Sequence, residues 1–267
     1  MTIEIDKIRK EFPAPGGGVT LAVSDTSFSV EDGEFAVIVG PSGCGKTTIL
    51  NMIAGLTTPS SGTIRLDGTL VEGPGVDRGI MFQDYALFPW LTVAGNVEFA
   101  LRYGPAGDGW GDADRAERVA ATIALVGLNG SEHKYPHQLS GGMRQRVALA
   151  RLFAYEPKVL LMDEPLAALD AQTRTIMQDE LLRVWGQDRP RAERRTVVFI
   201  THAIDEAVFL ADRVLVMGNS PGHVREIIPI DLPRPRGDTT RADPRFQALS
   251  LKIWNQIKSE AYRAATT

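Results

Sequence analysis

LSGGMRQRVALARLFAYEPKVLLMDEPLAALD, Leu139 to Asp170, decides how the rest of this chain is read. Ser140 suits a helix N-cap and the two glycines after it leave backbone N–H groups bare. Val147, Leu149, Ala150 and Phe153 then supply apolar positions before Pro157 stops the helix. A helix start with a hydroxyl and uncovered amides is a place for an anion. Val159-Leu160-Leu161-Met162 reads as a strand buried on both faces, which carries Asp163 and Glu164 to its C-terminal end. Given a phosphate cradle elsewhere, two such carboxylates suit one metal ligand and one group that handles a water.

The cradle lies upstream. Gly40-Pro41-Ser42-Gly43-Cys44-Gly45-Lys46-Thr47 fits G-x-x-x-x-G-K-[ST]. It follows the apolar run Phe35-Ala36-Val37-Ile38-Val39 and precedes Thr48 and a helical pattern with Ile49, Leu50, Met52 and Ile53. Strand, glycine-rich loop and helix in that order is the context of a P-loop, so a chance glycine-rich turn is rejected. The glycines let backbone amides wrap phosphates, Lys46 meets the β/γ oxygens, and the Thr47 hydroxyl suits Mg2+.

With the P-loop, Gln83 after a short strand, LSGGM, VLLMDEP, Ala168-Leu169-Asp170 and Thr201-His202, the chain resembles the ATP-binding-cassette ATPases in order over nearly its whole length. The resemblance implies an α/β P-loop NTPase with a RecA-like core sheet, an antiparallel β subdomain and an inserted α-helical subdomain. It implies an ATPase domain over residues 1–230, with the helical subdomain at about 84–156, and a C-terminal connector and helix over 231–267. Tyr135-Pro136-His137-Gln138 resembles the family's run-in to the signature helix.

Bulk properties narrow the class. The 267 residues suffice for one large α/β domain or a domain with a subdomain, and 43% hydrophobic with 23% charged residues is an ordinary globular composition. A net charge of −4 argues against a general nucleic-acid binder. The start MTIEIDKIRKEF is too charged for a signal peptide, and no apolar run approaches the ~20 residues of a membrane helix. The single cysteine, Cys44, fits a reducing compartment; it reads as a small residue at a permissive loop position, with a redox switch as the alternative.

Residues 2–8 alternate Ile3, Ile5 and Ile8 with charge and read as an edge strand, paired through a hairpin with Leu21, Val23, Phe28 and Val30. Phe12 precedes a turn-rich loop; by resemblance it stacks on adenine, and as a bare residue it anchors the hairpin. Gly79-Ile80-Met81-Phe82 reads as a strand ending at Gln83. In Ala86-Leu87-Phe88-Pro89-Trp90-Leu91 the proline forbids a helix, so its side chains either pack internally or line a groove for a partner's helix. Thr92 suits the cap of a helix with Val93, Val97, Ala100 and Leu101. A turn-rich spacer at 104–111 and a second helix from about Asp112 to Gly127 follow. His133 and His137 lack the ligand company of a metal site and read as surface residues. The arginine-rich run 186–195 reads as a solvated loop, with attraction to acidic lipid as the alternative. Thr196 to Ile200 reads as a strand ending at His202, and Ala203 stands where the family more often has Asp. Asp231-Leu232-Pro233-Arg234-Pro235-Arg236 reads as an extended connector into a helix with Phe246, Leu249, Ile253 and Ile257.

The resemblance further implies roles. Gly40 to Thr48 hold ATP, and Thr47, Asp163 and Gln83 hold Mg2+. Glu164 serves as base or orienter of the attacking water, Gln83 touches that water, and His202 steadies the γ-phosphate. Ser140, Gly141, Gly142 and Asp170 face the ATP of a second copy, so two chains meet head to tail around two ATPs. The same resemblance implies a membrane permease contacted near Ala86–Leu91, an extracytoplasmic solute-binding protein, no nucleic acid, and a peripheral place on the cytoplasmic face of the inner membrane. Leu87-Phe88-Pro89-Trp90, Met143 and the Pro221–Arg236 run look like the nitrate/sulfonate/taurine importer branch, which pyrimidine and thiamine-precursor importers share. A soluble cassette ATPase acting on DNA or the ribosome is the second reading; it lacks the expected second cassette or long coiled coil. A P-loop kinase leaves LSGG and His202 unexplained.

Overall fold

In a computed structural model of the chain, the described residues are 1–14, 16–104, 109–219 and 221–266, with side chains through 260. Half of the expected spacer at 104–111, residues 105–108, lies outside them. The chain divides into two compact units, Met1–Gly75 with Trp185–Thr267, and Val76–Val184.

The first unit holds two sheets. One is antiparallel, in the order β2-β1-β4-β5, from β1 (Ile3–Pro13), β2 (Val19–Val30), β4 (Ser61–Leu66) and β5 (Thr69–Leu70). The edge-strand expectation for residues 2–8 is corrected here: β1 runs on to Pro13 and has β2 on one side and β4 on the other. Alternation of apolar and charged residues reports which face is wet, and it carries no information about flanking strands. Its irregular spacing has a cause. Lys7 takes a φ of 46° at a register shift, and this bulge returns Ile8 to the buried face with Ile3 and Ile5.

The unit's second group of strands runs β10 (Val224–Pro229), β9 (Arg213–Met217), β3 (Phe35–Val39), β8 (Thr196–Ile200). β3 is parallel to both β8 and β9, and β10 closes antiparallel on β9. Every residue of β3 and β8 is buried, the signature of parallel strands covered on both faces. Helices α1 (Lys46–Ala54) and α6 (Ile204–Leu210) pack on this group.

The C-terminal connector is fastened rather than free. Arg236 is buried and its guanidinium donates to the carbonyls of Val208, Phe209 and Ala211, at the end of α6, and of Ile230 and Leu232. Carbonyls at a helix C-terminus need such partners once water is excluded. A short helix, α7 (Asp238–Arg241), leads into α8 (Pro244–Thr266), which buries Phe246 and Ile253 against α6 and leaves Trp254 exposed.

The arginine-rich run spends much of its charge inside this unit. Trp185 is buried between the guanidinium carbons of Arg194 and Arg234, 4.7 and 4.3 Å from its ring centre, and donates to the Arg195 carbonyl at 2.8 Å. Arg191 donates to the Asp32 carbonyl and Arg194 to those of Arg189 and Gln187. Residues 188–193 are exposed, as a solvated loop should be.

The second unit has two parallel strands, β6 (Arg78–Met81) and β7 (Val159–Asp163), with Met81 opposite Met162. Around them lie α2 (Val93–Tyr103), α3 (Asp112–Leu125), α4 (Gly141–Ala154) and α5 (Ala171–Trp185), whose last residue falls to the first unit. Thr92 caps α2 by accepting from Gly95 N, and Gly127, at φ 64°, carries the chain away after α3.

Candidate functional site

In the first unit, β3 delivers the loop Gly40–Gly45 to the start of α1. Gly43 and Gly45 both lie in the left-handed region, at φ 78° and 87°, which a side chain would strain. Gly45 is the N-cap and brings no side chain, so the first amides of α1 are left for an anion. Ser42, Gly43 and Thr47 are exposed on this turn, and Pro41 and Thr48 are half-buried. Gly40 is packed too tightly for a side chain, since an added Cβ would lie 2.8 Å from Cβ of Met217. Lys46 is only 6% exposed, and its ammonium is folded back onto the carbonyls of Gly40 and Pro41.

Cys44 is fully buried beneath the loop, and burial pushes its thiol up against the opposing pull of Lys46. A buried thiol held in its protonated form suits the reading of Cys44 as a small packed residue.

His202 leaves the sheet at the same end as the P-loop. Ile38 stands opposite Ile200 in parallel register, Thr201 N donates to the Ile38 carbonyl, and His202 follows, exposed. Ala203 has no side-chain acceptor to offer, and its backbone N–H donates to the Thr201 hydroxyl at 3.0 Å. Phe12 lies within β1, 40% exposed, with the Lys10 ammonium 5.0 Å from its ring centre.

In the second unit, β6 and β7 likewise end together, so Gln83, Asp163 and Glu164 leave at one edge. Gln83 is exposed and Asp163 only 3% exposed. Glu164 has a φ of 49°, a costly conformation for a residue with a side chain, of the kind stored at functional positions. Ser140 caps α4 by accepting from Met143 N at 3.3 Å, which leaves Gly141 and Gly142 in the first turn. Gly142 lies against the loop after β7: an added Cβ would stand 3.2 Å from the Ala168 carbonyl oxygen. Asp170 starts α5, accepting from the Thr173 amide and hydroxyl, and these two bonds hold its carboxyl below the usual range.

The segment Ala86–Leu91 is non-helical. Phe88 stands at the centre of a row of rings, 5.5 Å from Trp90 and 4.4 Å from Phe99, which is 4.6 Å from Tyr103. Trp90 is 70% and Tyr103 67% exposed, so the row presents an apolar surface.

Three residues the sequence reading passed over build this scenery. Asn96, fully buried, accepts from Phe88 N and donates to the carbonyls of Phe88, Leu91 and Thr92. Arg151 donates to the carbonyls of Tyr85 and Ala86, both at positive φ. Gln145, fully buried in α4, donates to the Glu164 carbonyl and accepts from Ala168 N. A signal existed for Gln145 and Asn96: each is an amide on the apolar stripe of its helix, where a polar side chain must find partners.

Each unit carries a hard oxygen donor of the kind Mg2+ takes, the Thr47 hydroxyl in the first and the Asp163 carboxylate in the second. Mg2+ sites commonly combine one or two such protein ligands with substrate phosphates.

The family model described as ABC transporter matches residues 23–167. An uncharacterised ABC transporter ATP-binding protein of Methanocaldococcus jannaschii is 47% identical, over 98% of this chain and 93% of that protein. The nitrate import ATP-binding protein NrtD of Synechococcus elongatus is 44% identical, over 92% of this chain and 88% of its own length. Among solved structures, a dimeric post-hydrolysis ATP-binding cassette bound to ADP and Pi superposes with a TM-score of 0.76 at 29% identity, covering 88% of this chain and 99% of that one. The chain therefore belongs to the ABC transporter family, as an ATP-binding, ATP-hydrolysing cassette with the α/β P-loop NTPase fold.

Proposed function

We propose that the chain powers an importer, binding a membrane permease through the Ala86–Leu91 segment on the cytoplasmic face of the inner membrane. The observation that carries this reading is the exposed row Trp90–Phe88–Phe99–Tyr103, an apolar surface on a chain with no described helix long and apolar enough to cross a membrane. A solute-binding protein outside the membrane completes the system. The nitrate import relatives favour nitrate as the solute, with sulfonates or taurine as the alternatives of that branch. The working ATPase is taken as residues 1–230, with 84–156 as its helical insertion and 231–267 as connector and helix.

Two copies meet head to tail, each contributing Ser140, Gly141, Gly142 and Asp170 to the ATP on the other's P-loop. Residues Gly40–Thr48 hold the phosphates, and Phe12 covers the adenine. Thr47, Asp163 and Gln83 hold Mg2+, which when bound neutralises charge on the β and γ phosphates. Glu164 orients the attacking water and takes its proton, Gln83 touches that water, and His202 steadies the γ-phosphate. Water oxygen bonds to the γ-phosphorus as the bond to the β–γ bridging oxygen breaks, leaving ADP and phosphate. Loss of the γ-phosphate releases the copies from each other, and that two-state change drives the permease.

Purification of the tagged chain from its native membranes in mild detergent tests this. A multi-helix membrane protein in stoichiometric amount is expected. Ribosomal or DNA-repair partners with no membrane protein would overturn it.

A further inference from the structure

We infer that Gln145 is a positioning residue for hydrolysis, locking the catalytic Glu164 to the helix that begins at Ser140. The inference rests on the reading of Glu164 as the group that orients water. Gln145 lies in the second turn of α4, fully buried, with both ends of its amide engaged. Its Nε2 donates to the Glu164 carbonyl oxygen at 3.1 Å, and its Oε1 accepts from Ala168 N at 3.1 Å. One side chain therefore holds both ends of the turn Glu164–Ala168. Within the turn, Ala167 N meets the Glu164 carbonyl at 3.2 Å and Leu169 N the Leu166 carbonyl at 3.3 Å, and the Gln145 amide adds a bond at each end.

Glu164 needs an external hold because its φ of 49° is unfavourable for a residue with a Cβ. Such a conformation persists only where the surroundings over-determine it. The Gln145 amide meets the carbonyl of the strained residue itself, and a buried amide left half-satisfied is costly, so the pair resists relaxation. A second contact ties the same two segments, since Gly142 stands against Ala168 and Leu169 closely enough that a Cβ would touch both.

The consequence concerns both sites of a dimer. The turn at Ser140–Gly142 faces the second copy's ATP in the proposed function, whereas Glu164 serves the ATP on its own P-loop. Gln145 joins the two within one unit. Seating of the Ser140 turn on one nucleotide thereby fixes the carboxylate that acts on the other, and turnover becomes cooperative in ATP through this amide.

Steady-state hydrolysis by the purified full-length chain tests the inference, with Gln145→Ala, Gln145→Glu and Glu164→Gln measured beside it. Gln145→Glu keeps the volume and the acceptor for Ala168 N, but sets a carboxylate oxygen against the Glu164 carbonyl. It carries the test if Gln145→Ala does not fold. Misplacing a reacting group by ~1 Å costs up to about 100-fold, so kcat is expected to fall roughly 10- to 100-fold in both Gln145 variants. ATP affinity by fluorescent-nucleotide titration stays within about twofold, because no P-loop contact is touched, and the Hill coefficient falls toward that of independent sites. A Gln145 variant with wild-type kcat, or with kcat and affinity lost in equal measure, overturns the inference. If Glu164→Gln itself turns over normally, the failure belongs to the assignment of Glu164, and the inference falls with it.

Discussion

Lys46 Nζ lies 2.7 Å from the carbonyl oxygen of Pro41 and 2.9 Å from that of Gly40, inside the loop it is to serve. The ammonium is held in place by the chain's own backbone. Phosphate oxygens entering the turn compete with two neutral carbonyls for a charged donor, and a charge-assisted partner is the stronger one. The Lys46→Ala variant loses that donor and leaves two carbonyls to find water. Fluorescent ATP analogues are expected to show no saturable binding at micromolar concentration. Retained affinity in a folded Lys46→Ala protein would remove the cradle from the mechanism.

The row of rings beginning at Trp90 separates surface from scaffold. Trp90 is 70% exposed, so Trp90→Ala should change folding stability by no more than about 0.5 kcal/mol while permease recovery falls. Asn96 is the opposite case. It fixes Phe88, Leu91 and Thr92 through four hydrogen bonds from a fully buried position. Asn96→Ala should cost roughly 2–3 kcal/mol, because Phe88 N and the three carbonyls lose a buried partner. Chemical denaturation gives the stabilities, and co-purification from membranes gives the permease. Equal permease recovery from Trp90→Ala and wild type would take the row out of the interface.

What was legible in the sequence follows from range. The P-loop, the start of α4 at Ser140 and the end of β7 at Asp163 are each written within a few adjacent residues, and local chemistry was enough to read them. β1 was misread as an edge because its neighbour β4 lies some fifty residues on, and no local pattern records a partner that distant. The Arg236 anchorage was missed for the same reason: an arginine in a proline-rich connector looks solvated until the end of α6 is brought against it. Gln145 and Asn96 were half legible, since a lone amide on an apolar stripe signals a buried partner without naming it.

Tyr155 gives a pH dependence with a definite sign. Burial pushes its phenol up from 10.0 to about 12, against the pull of Arg151. A group with a raised folded pKa adds stability that is whole below its unfolded value and is lost as pH rises toward the folded one. The loss therefore falls between pH 10 and about 12, where the unfolded chain ionises first. It amounts to at most roughly 3 kcal/mol. Urea midpoints across that range should drop more steeply for wild type than for Tyr155→Phe. Parallel curves would mean that the phenol is wetter than its surroundings indicate.

Arg236 makes the strongest claim about the C-terminal segment. The side chain is 4% exposed and meets five backbone carbonyls, three of them at the end of α6. Burial and the neighbouring Arg234 charge both act against its ionised form, with Asp212 opposing them, so the carbonyls must repay the desolvation. Arg236→Met fills the space and supplies no donor. Several carbonyls then stay dry without a partner, and the expected loss is about 3 kcal/mol. In a domain of this size that lowers the melting temperature by roughly 6–12 °C. Arg236→Lys should recover part of the loss, since one ammonium reaches fewer of these acceptors than a planar fork. Hydrogen exchange localises the effect: amides of Ile204–Leu210 should lose protection in Arg236→Met before those of β3. Because α6 begins two residues after His202, that fraying should also disturb the residue proposed to steady the γ-phosphate. A melting temperature within about 1 °C of wild type would show that water can reach this helix end and that the connector's other contacts, such as Arg234 with Asp212 and the Leu210 carbonyl, suffice to hold it.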